Sequence, residues 1–346
     1  MAAIVVVGAT GVTGRRLVAA LGDAGHEVIP ARAEGDDPGA AVRAADLVVA
    51  AARDPLTRGE WLEAAVRHGV HALDAGADPG VAQRVVDDLG APALAAGVSV
   101  VPAAGAAVGD LLVATAAGAV RSPAEVHVCW AFPDRGGWRR ALAPGFRATA
   151  ADRLAAPMPV VLDGRREQER AGDTRRLAWF PKPIGPTHAA GVPGPEPVTA
   201  AVHLSGVVTV RSYLALPTWR AELLQATAGL LRSGRWRDTV GRRLEQGDEP
   251  DTGLHAPRWA CVAESRGVDG VARAWAYGRD PVGLGVAGLV ALADVVLEDR
   301  AGPGVLPASM VDTPARLLDR LSVVVGLRWS VARPAGGGSG GDAHAG

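Results

Sequence analysis

Lysine is almost absent from this chain. Lys182 is the single lysine among 36 basic residues, and it sits between prolines in Phe180-Pro181-Lys182-Pro183. A mechanism that needs an amine therefore has one candidate, and a phosphate loop of the Walker type, which ends on a lysine, has none. Cysteine is nearly as scarce. Cys129 and Cys261 stand alone without CxxC spacing, which excludes a disulfide framework and a cysteine zinc site and suits a reducing compartment. Outside the glycine-rich run at 336–341 there is no G-x-S-x-G elbow, and there is no Tyr-x-x-x-Lys relay, so two common routes to hydrolase and short-chain dehydrogenase chemistry are closed. His68 and His71 flank Gly69 and lack the helical spacing of a metal pair, so no metal is expected.

Long apolar runs are also missing. The most apolar stretch, Val282 to Leu297, contains Asp294 and is shorter than the roughly 20 residues of a membrane span, so a buried helix is expected there. The opening Met1-Ala2-Ala3-Ile4 has no basic segment before its apolar run. A signal peptide is not expected, and the cytoplasm is the expected location. With 36 basic and 37 acidic residues the net charge is -1, so there is no overall pull toward nucleic acid or anionic membrane. The arginine excess matches what a GC-rich coding sequence gives and by itself says nothing about phosphate. The 346 residues, 48% hydrophobic and 21% charged, fit a folded protein of two domains or one large one.

The first 120 residues alternate short β-branched runs with helical patterns. Strands are read at Ala3–Val7, Glu27–Ala31, Leu47–Ala51, His71–Asp74 and Ser99–Val101. Helices are read at Arg15–Leu21, Pro38–Ala45, Glu60–Arg67 and Val81–Leu89. That alternation makes a parallel sheet with helices on both faces. Between the first strand and the first helix lies Gly8-Ala9-Thr10-Gly11-Val12-Thr13-Gly14. Glycines three apart serve a tight turn, the approach of a diphosphate to bare backbone, and close helix–strand packing. The helix N-terminus supplies N–H groups and the positive end of its dipole. Gly8, Gly11 and Gly14, the hydroxyls of Thr10 and Thr13, and the neighbouring Val12 and Arg15 are thus candidate dinucleotide contacts. At the end of the second strand Arg32 precedes Glu34. A base there suits the 2′-phosphate of NADP and an acid the ribose of NAD, so NADP is favoured and NAD stays open.

These residues resemble a known family. Val5-Val6-Val7-Gly8-Ala9-Thr10-Gly11-Val12-Thr13-Gly14-Arg15 is similar to the opening of the saccharopine dehydrogenase-like family, including its trans-acting enoyl reductase branch. The likeness continues through Arg58-Gly59-Glu60, His71-Ala72-Leu73-Asp74 and Asp78-Pro79, and returns at Asp280-Pro281, Gly304-Val305-Leu306-Pro307 and Leu317-Leu318-Asp319-Arg320-Leu321. It implies an α/β fold: a Rossmann-like parallel-sheet domain at 1–120, an inserted, mostly antiparallel α+β substrate domain at 121–265, and C-terminal helices at 266–333 returning to the first domain. The remainder, 334–346, is rich in Gly and Ala and is expected to be disordered. Three departures stand out. Only the 14 residues 33–46 separate Arg32 from Leu47, where relatives place another helix and strand. The family's Gly-Pro turn beside the nicotinamide is replaced by Ala52-Arg53-Asp54-Pro55, so Ala52 and Arg53 join the candidate cofactor contacts. The polar segment after the fifth strand reads Ala103-Ala104-Gly105-Ala106-Ala107-Val108.

The middle region carries strand-like stretches at Glu125–Phe132 and Val198–Leu216 and most of the nine tryptophans. These are expected mainly in the core, with some walling a wide apolar pocket. Acid–base candidates are few: His188, His203 and Tyr213. The resemblance implies an NAD(P)H-dependent reductase acting on a C=C or C=N bond of a hydrophobic, polyketide- or lipid-like metabolite in secondary metabolism. The alternative is a redox-silent relative acting as a cyclase, isomerase or binding partner. The expected partner is a small hydrophobic substrate, with a homodimer left open.

Overall fold

The computed structural model describes residues 1–246 and 248–334. The expected disorder of the tail falls almost wholly outside them. The first domain runs β1 (Ala3–Val7), α1 (Val12–Asp23), β2 (Glu27–Ala31), α2 (Pro38–Val42), β3 (Leu47–Ala50), α3 (Pro55–Arg67), β4 (His71–Asp74), α4 (Pro79–Ala96), β5 (Ser99–Val101) and α5 (Ala107–Ala117). Two helices start earlier than their apolar periodicity suggests, for the same local reason. Asp54 and Asp78 cap the amides of Thr57 and of Gly80 and Val81, and a proline follows each cap. Proline is preset for the first helical turn and lacks an N–H that would go unpaired there.

The second region contributes β6 (Glu125–Ala131), the short helices α6 (Trp138–Ala141), α7 (Pro144–Ala148) and α8 (Ala150–Ala155), then β7 (Met158–Leu162), β8 (Arg165–Glu169), β9 (Arg175–Trp179) and β10 (Pro186–Gly191). It continues with α9 (Glu196–His203), β11 (Thr209–Ala215), α10 (Thr218–Leu230), α11 (Gly234–Glu245), β12 (Arg258–Gly267) and β13 (Gly270–Arg279). The chain ends with α12 (Pro281–Leu297), β14 (Gly304–Val305), α13 (Ala308–Val311), α14 (Pro314–Val325) and β15 (Arg328–Ala332).

The strands form two sheets. The first has the order β14-β5-β4-β3-β1-β2 and every pair in it is parallel. Chain order reverses at β1, which pairs with β2 on one side and β3 on the other. Ligands of open α/β sheets bind outside the strand ends at such a point. The short stretch after Arg32 accounts for β2 being the edge strand, since no further strand is built beyond it. The second sheet has the order β15-β13-β12-β6-β11-β10-β9, with β7 and β8 attached through β11. Its pairs are antiparallel except β6 with β11. The fold is therefore α/β, with a Rossmann-like parallel sheet and a second, largely antiparallel one. β12 runs through the expected boundary at 265/266, and β13 and β15 extend the second sheet, while α12 packs on α1 and α14.

Val198–His203 was expected to be extended and is helical. Pro195 and Pro197 favour a helix start, and Ala200 and Ala201 favour its continuation, which outweighs the local β-branched content. α12 covers the apolar run as expected and is buried along most of its length. Among the described residues no helix is long and apolar enough to cross a membrane. α5 is buried on nearly every side, packed on β12, β13 and β6 of the second sheet and against α12 and α14, and α12 in turn packs on α1 of the first domain.

Candidate active site

The glycine loop is built as its three glycines require. Gly8 has φ +78° and lies against the backbone of Ala51 and Ala52, which a Cβ would approach to 2.8–2.9 Å. A Cβ on Gly14 would come within 2.2 Å of the Gly8 carbonyl oxygen, so α1 can seat on the loop only without a side chain there. Gly11 differs. Its nearest neighbour to a Cβ would be the Gly8 oxygen at 3.5 Å, and it is exposed. The open side of the loop is thus where a ligand can reach the backbone. The first amides of a helix have no partner inside it, and no side chain caps α1 and no acid stands in its first turn.

The flanking candidates are spread around this loop. Thr10, Gly11, Arg15, Arg32 and Arg53 are exposed, and Ala52 is buried beneath Gly8. Arg15 donates to the Thr10 carbonyl at 2.6 Å and to Glu249 at 2.7 Å. Arg53 pairs with Glu245 of α11 at 2.5 Å. The backbone amide of Arg32 donates to Asp36 at 2.7 Å, which fixes the turn after β2 and leaves the guanidinium at the rim. Below the mouth, Arg58 and Asp74 form a buried pair at 2.9 Å, and Arg58 also donates to the Ala52 and Arg53 carbonyls. Burial pushes the Asp74 carboxyl up, and Arg58 opposes it.

Thr13, on the first turn of α1, also lines a cavity of about 300 Å³ between the two domains, at the small end of ligand-pocket size. One wall comes from the ends of β4 and β5, through Gly76 and Ala106. The other comes from Trp130 on β6, Phe132, Trp138 on α6 and Phe146 on α7. The lining is mainly apolar, with few polar side chains. One of them is Glu196. It is 2% exposed, accepts from Trp130 Nε1 at 3.0 Å and from Ser212 Oγ at 2.7 Å, and has no cationic partner among the described residues. Gly109 and Gly194 leave the room it occupies, since a Cβ on either would lie 2.4 Å from its carboxylate oxygens.

The expected acid–base residues are not brought together. His188 lies on β10 and is exposed. His203 closes α9 and bonds Asp110 at 3.0 Å, while Asp110 also accepts from the Ser309 amide; this ties α9, α5 and α13 together away from the cavity lining. Tyr213 borders the cavity, but alternation along β11 directs Ser212 inward and the Tyr213 ring to the opposite face. There it meets His127 edge-on, and burial pushes its phenol above the ordinary value. Glu196 escaped the sequence reading, although one signal was present: it is the sole acid between Asp173 and Glu222.

Comparison with solved structures decides the architecture. Apo histidine-tagged saccharopine dehydrogenase (L-Glu forming) from Saccharomyces cerevisiae is similar over 96% of this chain and 100% of its own, with TM-score 0.53 and 13% identity. The chain has the saccharopine dehydrogenase fold. At that identity the likeness is one of fold. Two other structures are similar at lower TM-scores. AtPrR2 in apo form is 23% identical over 32% of this chain and 52% of its own, with TM-score 0.24. A probable aspartate-semialdehyde dehydrogenase from Pseudomonas aeruginosa is 14% identical over 77% and 74%, with TM-score 0.31. No protein-family model and no curated protein matches the chain.

Proposed function

We propose that the protein is an NAD(P)H-dependent oxidoreductase that reduces a C=C or C=N bond of a small hydrophobic metabolite in the cytoplasm. The observation that carries this reading is the continuity of Thr13: one residue belongs both to the first turn after the glycine loop and to the wall of the apolar cavity. A diphosphate seated on the α1 amides would place the rest of a dinucleotide along the ends of β3, β4 and β5, toward that cavity. The open face of Gly11 and the uncapped helix end fit such a group. Arg32 at the rim supports NADP over NAD.

When bound, the nicotinamide supplies the hydride. The chain supplies placement and a proton. Trp130, Phe132 and Phe146 orient an apolar substrate and exclude water. Glu196 is the carboxyl group on the wall, and its hydrogen bonds from Trp130 and Ser212 hold it in one rotamer. It is placed to pass a proton to the substrate atom next to the one that is reduced.

Titration with NADPH and NADH, followed by tryptophan fluorescence, tests the cofactor. Quenching by NADPH below millimolar concentration, stronger than by NADH, supports the reading; no response to either ends it. A redox-silent isomerase or cyclase is favoured by one observation, that Arg15 and Arg53 are already paired with Glu249 and Glu245. Turnover of the natural substrate that survives Gly11→Asp would select that reading.

A further inference from the structure

Most interior arginines of this protein face a carboxylate. Arg58 has Asp74, Arg176 has Glu264 and Arg211 has Glu169. Arg153, on α8, does not. It lines the interdomain cavity, its guanidinium carbon lies 3.7 Å over the Phe146 ring centroid, and one terminal nitrogen donates to the Phe146 carbonyl at 2.8 Å. Its Nε is shielded from solvent and has no hydrogen-bond partner, and it forms no ion pair among the described residues. Asp78 and Asp152 act on it only through their field. A guanidinium presents five donors in a fixed fork, so most of this one's capacity is unused on the wall of an otherwise apolar space. Arg153 is partly buried, and a cation set in an apolar wall without a counter-ion is costly. The group that would compensate it is an anion brought by the ligand.

We propose that Arg153 binds the anionic head group, carboxylate or phosphate, of the otherwise apolar substrate of this cavity. The proposal rests on the cavity being the substrate site, as in the function proposed above, and narrows the substrate class to hydrophobic acids. Glu196 gives the direction. As the proposed proton donor it marks the reacting end of the substrate beside Trp130, so the head lies at α8 and the apolar remainder extends toward Trp130. Burial lowers the Arg153 pKa to about 10, so the charge persists at neutral pH.

The test is direct binding of octanoate, octyl phosphate and octanol to the full chain, read by tryptophan quenching, in wild type and in Arg153→Met. One of the two anions should bind at least about 10-fold more tightly than octanol, the ordinary worth of a charge-assisted hydrogen bond; which of them leads separates carboxylate from phosphate recognition. Arg153→Met should abolish that preference and leave octanol affinity unchanged. Arg153→Lys should keep a reduced preference, because it retains charge without the fork. Equal binding of the anions and octanol by wild type overturns the proposal without recourse to any variant. So does a preference that survives in Arg153→Met. NADPH titrated into the same samples separates the two readings. Cofactor binding without an anion preference sinks the proposal alone, and an anion preference without cofactor binding sinks the oxidoreductase alone.

Discussion

Arg53 and Glu245 meet across the mouth of the nucleotide crevice, Nη1 to Oε1, at 2.5 Å. Arg53 leaves the end of β3 and Glu245 ends α11, so the contact joins the parallel-sheet domain to the helical insert of the second. Arg15 and Glu249 repeat the pattern beside it at 2.7 Å. Both pairs are about half exposed, and pairs of that kind contribute little stability. Their consequence lies in competition, because a diphosphate on the α1 amides would draw on the same two arginines. Glu245→Gln combined with Glu249→Gln is therefore expected to tighten NADPH binding several-fold in a fluorescence titration, with little change in thermal midpoint. Unchanged affinity would show that neither arginine serves the diphosphate.

Gly11 and Gly14 should respond to substitution in opposite ways. A side chain at Gly11 enters open space, and its backbone has φ −72° and ψ 165° at the N-cap of α1. Aspartate is a favoured N-cap residue. Gly11→Asp should therefore leave the melting temperature unchanged or raised while placing a carboxylate where the diphosphate would lie, and NADPH binding should be lost. Gly14→Ala drives a Cβ into the Gly8 carbonyl and should cost about 1–3 kcal/mol or more, seen in the urea midpoint. Loss of stability in both variants would show that the loop is only a structural turn.

Glu196→Gln keeps the shape and one acceptor oxygen, turns the other position into an amide donor that the Ser212 hydroxyl can accept from, and removes the ionisable proton. On the proposed chemistry it should lower kcat by about 10²–10⁴-fold, the usual worth of a general acid, with little effect on KM. A matching rise in KM with kcat preserved would instead make Glu196 a binding group.

What could be read from the sequence was local. The run from Ala3 to Leu21 carries strand, turn and helix start in consecutive residues, and each is dictated by sterics within a few positions. The missing outer strand was legible too, because residues 33–46 are too few to build it and return to Leu47. The site itself was not. Arg153, Glu196 and Trp130 lie on α8, α9 and β6, far apart in the chain, and line one cavity only through tertiary packing such as the parallel pairing of β6 with β11, a long-range event without a local signature. The tryptophans show the same limit. Trp61 and Trp259 are core residues as expected, but Trp219 and Trp236 are exposed on α10 and α11, since residue type alone does not say which face a helix presents.

His127 links the second sheet to pH. On β6 it stands between Arg211 of β11 and Glu264 of β12, with the Tyr213 ring against it. Burial, together with the fields of Arg176, Arg211 and Arg266, lowers its pKa to about 3. Glu125 lies 3.8 Å away and is about half exposed. The imidazole is neutral in the folded state and takes up a proton on unfolding at any pH between its folded value and the ordinary 6.5. Stability is then complete above pH 6.5 and falls as pH is lowered toward 3. Between pH 8 and pH 5 the loss from this residue should be about 2 kcal/mol. Urea unfolding at the two pH values measures it. His127→Gln should flatten the difference by about that amount, because the amide cannot titrate. An undiminished pH dependence in the variant would place the titrating group elsewhere in the molecule.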